Sequence, residues 1–115
     1  MNKQEYAAYL QSPWWRRIAR DMRELYPVCQ RCEFPYELNV HHLTYERLGC
    51  EKVPQDLIVL CRSCHSREHF LQDIDKLPWL VDDVGAVREK IYKQTEDSRQ
   101  KNAETYGYQS DEDDG

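Results

Sequence analysis

Hydrophobic positions near the N-terminus repeat with the period of an α-helix. Four of them, spaced i, i+4, i+8 and i+11, are predicted to share one helix face: Trp14, Ile18, Met22 and Leu25. Ser12 followed by Pro13 is typical of a helix start, since serine caps the first turn and proline suits its first position. We therefore predict helix over residues 3–26, with a short helix giving way to a longer one at Ser12 and Pro27 ending it.

The middle of the chain has shorter hydrophobic runs. Leu38–His42 and Leu57–Leu60 are rich in residues that favour strands, and the long stretch Thr44–Gln55 between them predicts a structured loop. After the second run, a short helix is expected through about Gln72, with Ser63 as its N-cap.

The C-terminal third is predicted to begin with a connector and continue as a helix. Asp73–Val81 contains Pro78 and is the connector, and three of its residues are expected to pack back on the body: Trp79, Leu80 and Val81. Val84, Val87 and Ile91 then follow at helical spacing, so a last helix is predicted from about Asp82. Ser110–Gly115 is acidic and poor in apolar residues, and we expect it to be disordered.

Composition limits the class of protein. A length of 115 residues allows one domain, and 40% hydrophobic residues with a mean hydropathy of -0.92 predict a thin core. No run approaches the ~18–20 apolar residues of a membrane span. The N-terminus lacks the apolar stretch of a secretory signal, so a cytoplasmic protein is expected.

The net charge of -5 belongs to the C-terminal end. Residues 96–115 hold seven acids and two bases, whereas residues 1–95 hold fourteen of each. We predict a single domain over 1–95 and an acidic extension over 96–115, which is solubilising or else contacts a partner or mimics DNA. A neutral body neither excludes nor requires a polyanionic partner.

Cysteine spacing predicts a zinc site. Two C-x-x-C pairs are separated by 28 residues: Cys29 with Cys32, and Cys61 with Cys64. Four thiolates fill the tetrahedral shell of Zn²⁺, so such a site is structural, and its binding free energy would compensate for a thin core. Disulfides or unpaired buried thiols are the alternatives. Cys50 has no partner in this pattern and is expected to be a free thiol.

The histidines lie close to this site in sequence. His65 and His69, at i and i+4, share a helix face and suit one metal ion, to which the pair His41-His42 would add a third ligand. Adjacent strand residues point to opposite faces, so the pair is expected where the strand frays if both are to meet one phosphate. Further structural ligands or solvated side chains are the alternatives.

The combined pattern resembles an HNH endonuclease. It consists of Cys29-Gln-Arg-Cys32, Val40-His41-His42-Leu43-Thr44-Tyr45-Glu46-Arg47-Leu48-Gly49, and Asp56-Leu57-Ile58-Val59-Leu60-Cys61-Arg62-Ser63-Cys64-His65-x-x-x-His69. The resemblance covers about residues 29–70 and is closest to the small phage and prophage type with a four-cysteine zinc. Tyr9-Leu10-x-Ser12-x-x-Trp15 is similar to the segment that precedes the first C-x-x-C pair (the first zinc knuckle) in such proteins.

The resemblance implies an α+β fold: a small ββα-metal (His-Me finger) core beside the zinc knuckles at 29–72, flanked by N- and C-terminal helices. By position, His42 would be the general base and His65 the last motif histidine. His41, His65 and His69 would hold one catalytic divalent ion. Asp56 stands where the family has asparagine, nine residues before His65, and would pin the loop or contact the metal.

The implied reaction is hydrolysis of DNA phosphodiester bonds to 5′ phosphate and 3′ hydroxyl ends. Histidine suits the base because its ordinary pKa, about 6.5, is close to working pH. Three imidazoles favour Zn, Ni, Co or Mn, and Asp56 in the shell would favour Mg or Mn. The expected setting is the cytoplasm of a bacterial or phage-infected cell, with a phage packaging or restriction complex as a further partner.

Basic residues predict the contacts to DNA. Those expected to meet phosphates are Arg16, Arg20 and Arg23 on the second helix, and Arg47, Lys52, Arg62 and Arg67 around the site. A solvated helix face is the alternative for the first three. The competing function is a non-catalytic zinc module that binds nucleic acid or a protein partner.

Overall fold

Four α-helices and a two-stranded sheet make up residues 2–107, the part of the chain that the computed structural model describes. In chain order the elements are α1 (Lys3–Tyr9), α2 (Pro13–Leu25), β1 (Leu38–His42), β2 (Leu57–Cys61), α3 (Arg62–Lys76), a 3-10 turn (Pro78–Leu80) and α4 (Val84–Tyr106). The α+β class with a small ββα core is therefore confirmed. Within residues 2–107, no helix has the length and apolar character that crossing a bilayer requires.

Side-chain caps determine where three of the helices begin. Asn2 and Glu5 form a reciprocal capping box at α1. The hydroxyl of Ser12 accepts a hydrogen bond from the Trp15 amide at 3.1 Å, and Pro13 follows as the first residue of α2. Asp83 caps α4 through the Ala86 amide at 3.0 Å. The break between α1 and α2 lies where the Ser-Pro pair predicts it.

The buried face of α2 differs from the predicted one. It consists of Trp15, Ile18, Ala19 and Met22. Trp14 and Leu25 are 46% and 58% exposed, so their assignment to this face was wrong. The stripe follows i, i+3, i+4 and i+7, which keeps it facing the sheet, whereas a strict spacing of four residues rotates away from it.

The two strands pair antiparallel and carry the site between two helices. His42 is opposite Leu57 and His41 is opposite Ile58. The Leu43 amide donates to the Asp56 carbonyl at 2.8 Å and closes the loop between the strands. Leu57 and Val59 pack against α2 in the main core.

Helix α3 is longer than predicted and changes the connector. It begins at Arg62, one residue before the predicted cap Ser63, and extends to Lys76, because Ile74 is fully buried against α4. Of the three connector residues expected to pack on the body, only the last one does so. Val81 contacts this cluster, but Trp79 is 74% exposed and Leu80 53% exposed, since the 3-10 turn points them outward.

Helix α4 crosses the predicted domain boundary after residue 95 without a break and ends at Tyr106. The side-chain amide of Asn102 donates to the Cys32 carbonyl at 2.8 Å, which ties the end of α4 to the first cysteine pair. Residues 96–106 are thus part of the folded body. The disorder expected for Ser110–Gly115 concerns residues outside the described range.

Candidate metal centres and catalytic cleft

The two cysteine pairs come together in one buried cluster. The sulfur atoms of Cys29, Cys32, Cys61 and Cys64 all lie within 4.8 Å of one another, and each residue is at most 4% exposed. A tetrahedral zinc with Zn–S bonds of about 2.3 Å separates its sulfurs by about 3.8 Å, so this donor set fits the ion. Cys50 is exposed and lies outside the cluster.

Backbone amides prepare the cluster for thiolate ligands. The amides of Arg31 and Cys32 both donate to the Cys29 sulfur at 3.4 Å. The hydrogen bond from the Cys64 thiol, with smaller contributions from these amides, lowers the pKa of Cys29 to about 4. Burial raises the pKa of Cys32 to about 11. A buried thiolate at Cys29 requires a compensating cation, and a structural zinc bound to all four sulfurs would supply that charge.

Three histidines form a second cluster. His41 comes from β1, and His65 and His69 come from one face of α3. Their ring nitrogens lie within 4.8 Å of one another, and the Nε2 atoms of His65 and His69 are 3.1 Å apart. Two imidazoles bound to one ion at about 2.0–2.1 Å have nitrogens separated by about 3.0–3.4 Å, so the set fits a divalent cation.

Two of the three histidines favour the neutral form, and the cluster is exposed on one side. Burial, with the neighbouring histidines, lowers the pKa of His41 to about 4, and burial also lowers the pKa of His65. Neutral imidazole is the form that binds metals. His41 is 2% exposed, whereas His69 is exposed. Three donors and an open side leave coordination positions for other ligands.

His42 faces the other side of β1. Its ring stacks on Trp15 with centroids 4.5 Å apart and an interplanar angle of 21°. Its Nδ1 is 2.9 Å from the Tyr6 hydroxyl, and its Nε2 is 2.9 Å from a carboxylate oxygen of Glu51. Both ring nitrogens therefore have protein partners, and the side chain is 1% exposed.

One cleft of about 350 Å³ nevertheless contains both sets of histidines. Its lining includes His41, His42, His65 and His69. His41 and His42 are the last two residues of a regularly paired strand, so the strand does not fray as the sequence suggested. Residues on both faces of the end of β1 line the cleft, so the buried His42 imidazole lies beside the cluster of three histidines.

The Asp56 carboxylate is hydrogen-bonded to residues of the loop between β1 and β2. Its carboxylate accepts two hydrogen bonds from the Arg47 guanidinium, at 2.6 and 2.8 Å, and one from the Lys52 amide at 2.9 Å. The Arg47 hydrogen bonds, with that amide, lower the pKa of Asp56 to about 2. The histidine cluster does not include Asp56. Of the two roles left open for Asp56, these contacts correspond to pinning the loop.

The predicted basic residues separate into two groups. Arg16, Arg20 and Arg23 line a shallow groove on α2 together with Arg17, which was not among the predicted DNA contacts. Arg23 also lines the histidine cleft. Around the site, Lys52 and Arg62 are exposed, whereas Arg47 binds Asp56 and the Arg67 guanidinium is 3.7 Å from the Cys64 sulfur.

The residues that contact His42 have no recognisable pattern in the sequence. No chemical role was predicted for Glu51 or Tyr6, which contact His42, or for Trp14, whose indole donates to Glu51. Metal ligands have characteristic spacings, but a carboxylate that contacts an imidazole has none. The one available signal was the likeness of the Tyr9–Trp15 segment to that preceding the first knuckle in zinc-containing HNH proteins.

The middle of the chain matches a known protein family. Residues 29–71 match the family model described as HNH endonuclease. The matched segment includes both cysteine pairs and all four histidines. Neither a curated protein nor a solved structure matches the chain.

Proposed function

We propose that the protein hydrolyses phosphodiester bonds in DNA, because residues 29–71 match the HNH endonuclease family model. His42 is the general base. One catalytic divalent ion is held by His41, His65 and His69. The observation that carries the proposal is the single cleft lined by His42 and by all three metal-binding histidines.

The reaction consists of one proton transfer and one displacement at phosphorus. A ring nitrogen of His42 takes a proton from water, and the water oxygen forms a bond to phosphorus. The bond to the 3′ oxygen breaks, its electron pair stays on that oxygen, and solvent supplies the proton. The bound divalent ion supplies electrostatic stabilisation of the negative charge that develops on the phosphate. The products are 5′ phosphate and 3′ hydroxyl ends.

Tyr6 occupies the place at His42 that the water needs. All seven residues of α1 are exposed or half-exposed, so this helix is held less firmly than the elements that form the core. Glu51, by contrast, is buried with three partners. Of the two partners of His42, Tyr6 is therefore the one that yields to water when substrate enters.

The three nitrogen donors of the histidine cluster also indicate which metal ion is favoured. Three imidazole nitrogens favour Zn, Ni, Co or Mn over Mg, which prefers oxygen ligands. Both carboxylate oxygens of Asp56 are already bonded within the loop. Support for Mg as the catalytic ion is correspondingly weaker, and the cysteine cluster is assigned to a structural Zn²⁺.

The arginines of α2 supply the contact to DNA. Arg23 lines both the α2 groove and the histidine cleft, so a phosphate backbone lying in the groove continues to the scissile position. Each phosphate contact adds affinity that is independent of sequence and sensitive to salt. Replacing Arg16 and Arg20 together by Gln is expected to reduce the salt dependence of binding by about two phosphate contacts.

The test is plasmid nicking by the zinc-loaded protein with Zn, Ni, Co, Mn or Mg added, compared with the His42→Ala variant. A nuclease is expected to bind a second, weaker metal per chain and to nick only when that metal is present. The variant should retain both metals and lose nicking. Wild-type protein that binds one metal and leaves every plasmid intact would contradict the proposal.

The competing proposal is a zinc module that binds nucleic acid without cutting it. The burial of His42 and the engagement of both its nitrogens favour this alternative. It predicts one metal per chain and DNA binding that His42→Ala leaves unchanged. Chelation does not separate the two functions, because removing the structural zinc would unfold the domain.

A further inference from the structure

Glu51 is a buried carboxylate to which the resemblance assigns no role. It lies in the loop between β1 and β2, and its side chain is 1% exposed. One carboxylate oxygen accepts from the Tyr9 hydroxyl at 2.5 Å and lies 2.9 Å from His42 Nε2. The other oxygen accepts from the Trp14 indole at 3.2 Å. A carboxylate buried this deeply costs free energy unless hydrogen-bond donors compensate its charge.

The partners of Glu51 fix the direction of each hydrogen bond. The Trp14 indole is a donor only. The Gly49 amide donates to the Tyr9 oxygen at 3.2 Å, so the Tyr9 proton is directed to Glu51. Gly49 has φ +93°, a conformation suited to glycine, which lets the loop turn this amide towards Tyr9.

These donors keep Glu51 ionised. Burial alone would raise its pKa, but the hydrogen bonds from Tyr9 and His42, with that from Trp14, lower it. A carboxylate only accepts hydrogen bonds, so Nε2 of His42 must carry a proton. In the neutral imidazole the lone pair is then on Nδ1, where the Tyr6 hydroxyl donates. Burial raises the pKa of Tyr6, which keeps that hydroxyl protonated.

We propose that Glu51 is a positioning residue that holds His42 with its proton on Nε2 and its lone pair, on Nδ1, directed to the place where the Tyr6 hydroxyl lies. The role rests on the proposed nuclease function. Nδ1 forms the new N–H bond when water loses its proton, and Nε2 keeps its own proton in the bond to Glu51. No proton passes to the carboxylate, whose charge stabilises the imidazolium that forms.

The first experiment observes the proton directly. Zinc-loaded full-length protein, labelled with ¹⁵N in histidine, is studied by two-dimensional NMR, and the signals that His42→Ala removes identify His42. We expect protonated Nε2 and unprotonated Nδ1 in the wild type, and a different tautomer distribution in Glu51→Gln. Protonated Nδ1 in the wild type, or an unchanged spectrum in Glu51→Gln, would overturn the proposal.

Glu46→Gln is the matched control. Glu46 is an exposed acid in the same loop, so this variant removes the same charge without touching His42. Its spectrum and activity should equal those of the wild type. If Glu51→Gln does not fold, Tyr9→Phe removes one donor to Glu51 and keeps the ring. It should shift the tautomer distribution in the same direction but less, and an unchanged distribution there would count against the role.

The second experiment measures single-turnover cleavage. Glu51→Gln should lower the rate constant by up to the ~10²–10⁴-fold that general-base catalysis supplies, with DNA affinity and metal content unchanged. Glu51→Asp keeps the charge and should recover part of the rate. Full activity in Glu51→Gln would exclude the role and leave the nuclease function standing. A wild-type protein without activity would instead remove the nuclease function, while the NMR experiment would still decide the tautomer.

Discussion

The cysteine and histidine clusters use neighbouring residues of the same elements but differ in burial. Cys64 and His65 are consecutive in α3, yet the first belongs to the cysteine cluster and the second to the histidine cluster. All four cysteines are buried, whereas the histidine cluster passes from buried His41 to exposed His69. A buried, filled shell can only stabilise the fold. A partly exposed set of three donors leaves room for further ligands, so the difference in exposure supports proposing a structural role for the first cluster and a catalytic role for the second.

The largest expected effect is on the buried cluster. Cys29→Ser or Cys64→Ser should abolish zinc binding and most cooperative folding, because such sites contribute on the order of 10–16 kcal/mol at neutral pH. Zinc content and thermal melting provide the measurement, and exposed Cys50→Ser, which should change neither, is the control. A Cys29→Ser protein with wild-type melting and zinc content would show that the cluster is not a structural zinc site.

The next effect should appear in the cleft and leave the fold intact. His42→Ala is expected to slow cleavage by ~10²–10⁴-fold and to keep both metals. His41→Ala should lower affinity for the catalytic ion, so excess divalent ion should partly restore its activity. Single-turnover rates over a range of metal concentrations distinguish the two variants. Metal rescue of His42→Ala but not of His41→Ala would reverse the assigned roles.

His69→Ala tests whether the two clusters are independent. Losing one of three ligands should lower the affinity for the catalytic metal. The loss should exceed the ~10–100-fold that is typical when a residue contacting a ligand is changed. The cysteine zinc should stay, because the clusters share α3 but no ligand. Calorimetric metal titration and zinc analysis of the same sample give both quantities. Simultaneous loss of zinc would mean that the sites are wrongly separated.

Asp56→Asn asks whether the loop and the histidine cluster are separate. The carboxylate holds Arg47 and the Lys52 amide, so the variant should lower the melting temperature. Its affinity for the catalytic metal should equal that of the wild type, since Asp56 lies outside the histidine cluster. Weaker metal binding with unchanged melting would instead make Asp56 a ligand.

How far the sequence predicts this molecule depends on the kind of residue. Metal ligands leave a regular spacing, so C-x-x-C pairs and the i, i+4 histidines indicate both clusters before any fold is known. Strand limits follow from the hydrophobic runs. The face of α2 was wrong at Trp14 because tertiary packing decides between adjacent tryptophans. The contacts of His42 were missed because Tyr6 and Glu51 lie 36 and 9 residues from it in sequence. These separations match no motif, so only the folded structure brings the residues together.

The smallest expected effect concerns the two tyrosines of α1, which contact opposite ends of the His42–Glu51 pair. Tyr6→Phe removes the hydroxyl from Nδ1 and leaves that nitrogen free for water, so cleavage should become faster. A net hydrogen-bond free energy of about 1 kcal/mol corresponds to about fivefold. Tyr9→Phe removes a donor to Glu51 and should make cleavage slower. Each variant loses one hydroxyl from the same helix, so general loosening of α1 would move both rates in the same direction. Opposite changes in the single-turnover rate constants would show that Tyr6 blocks the base while Tyr9 orients it.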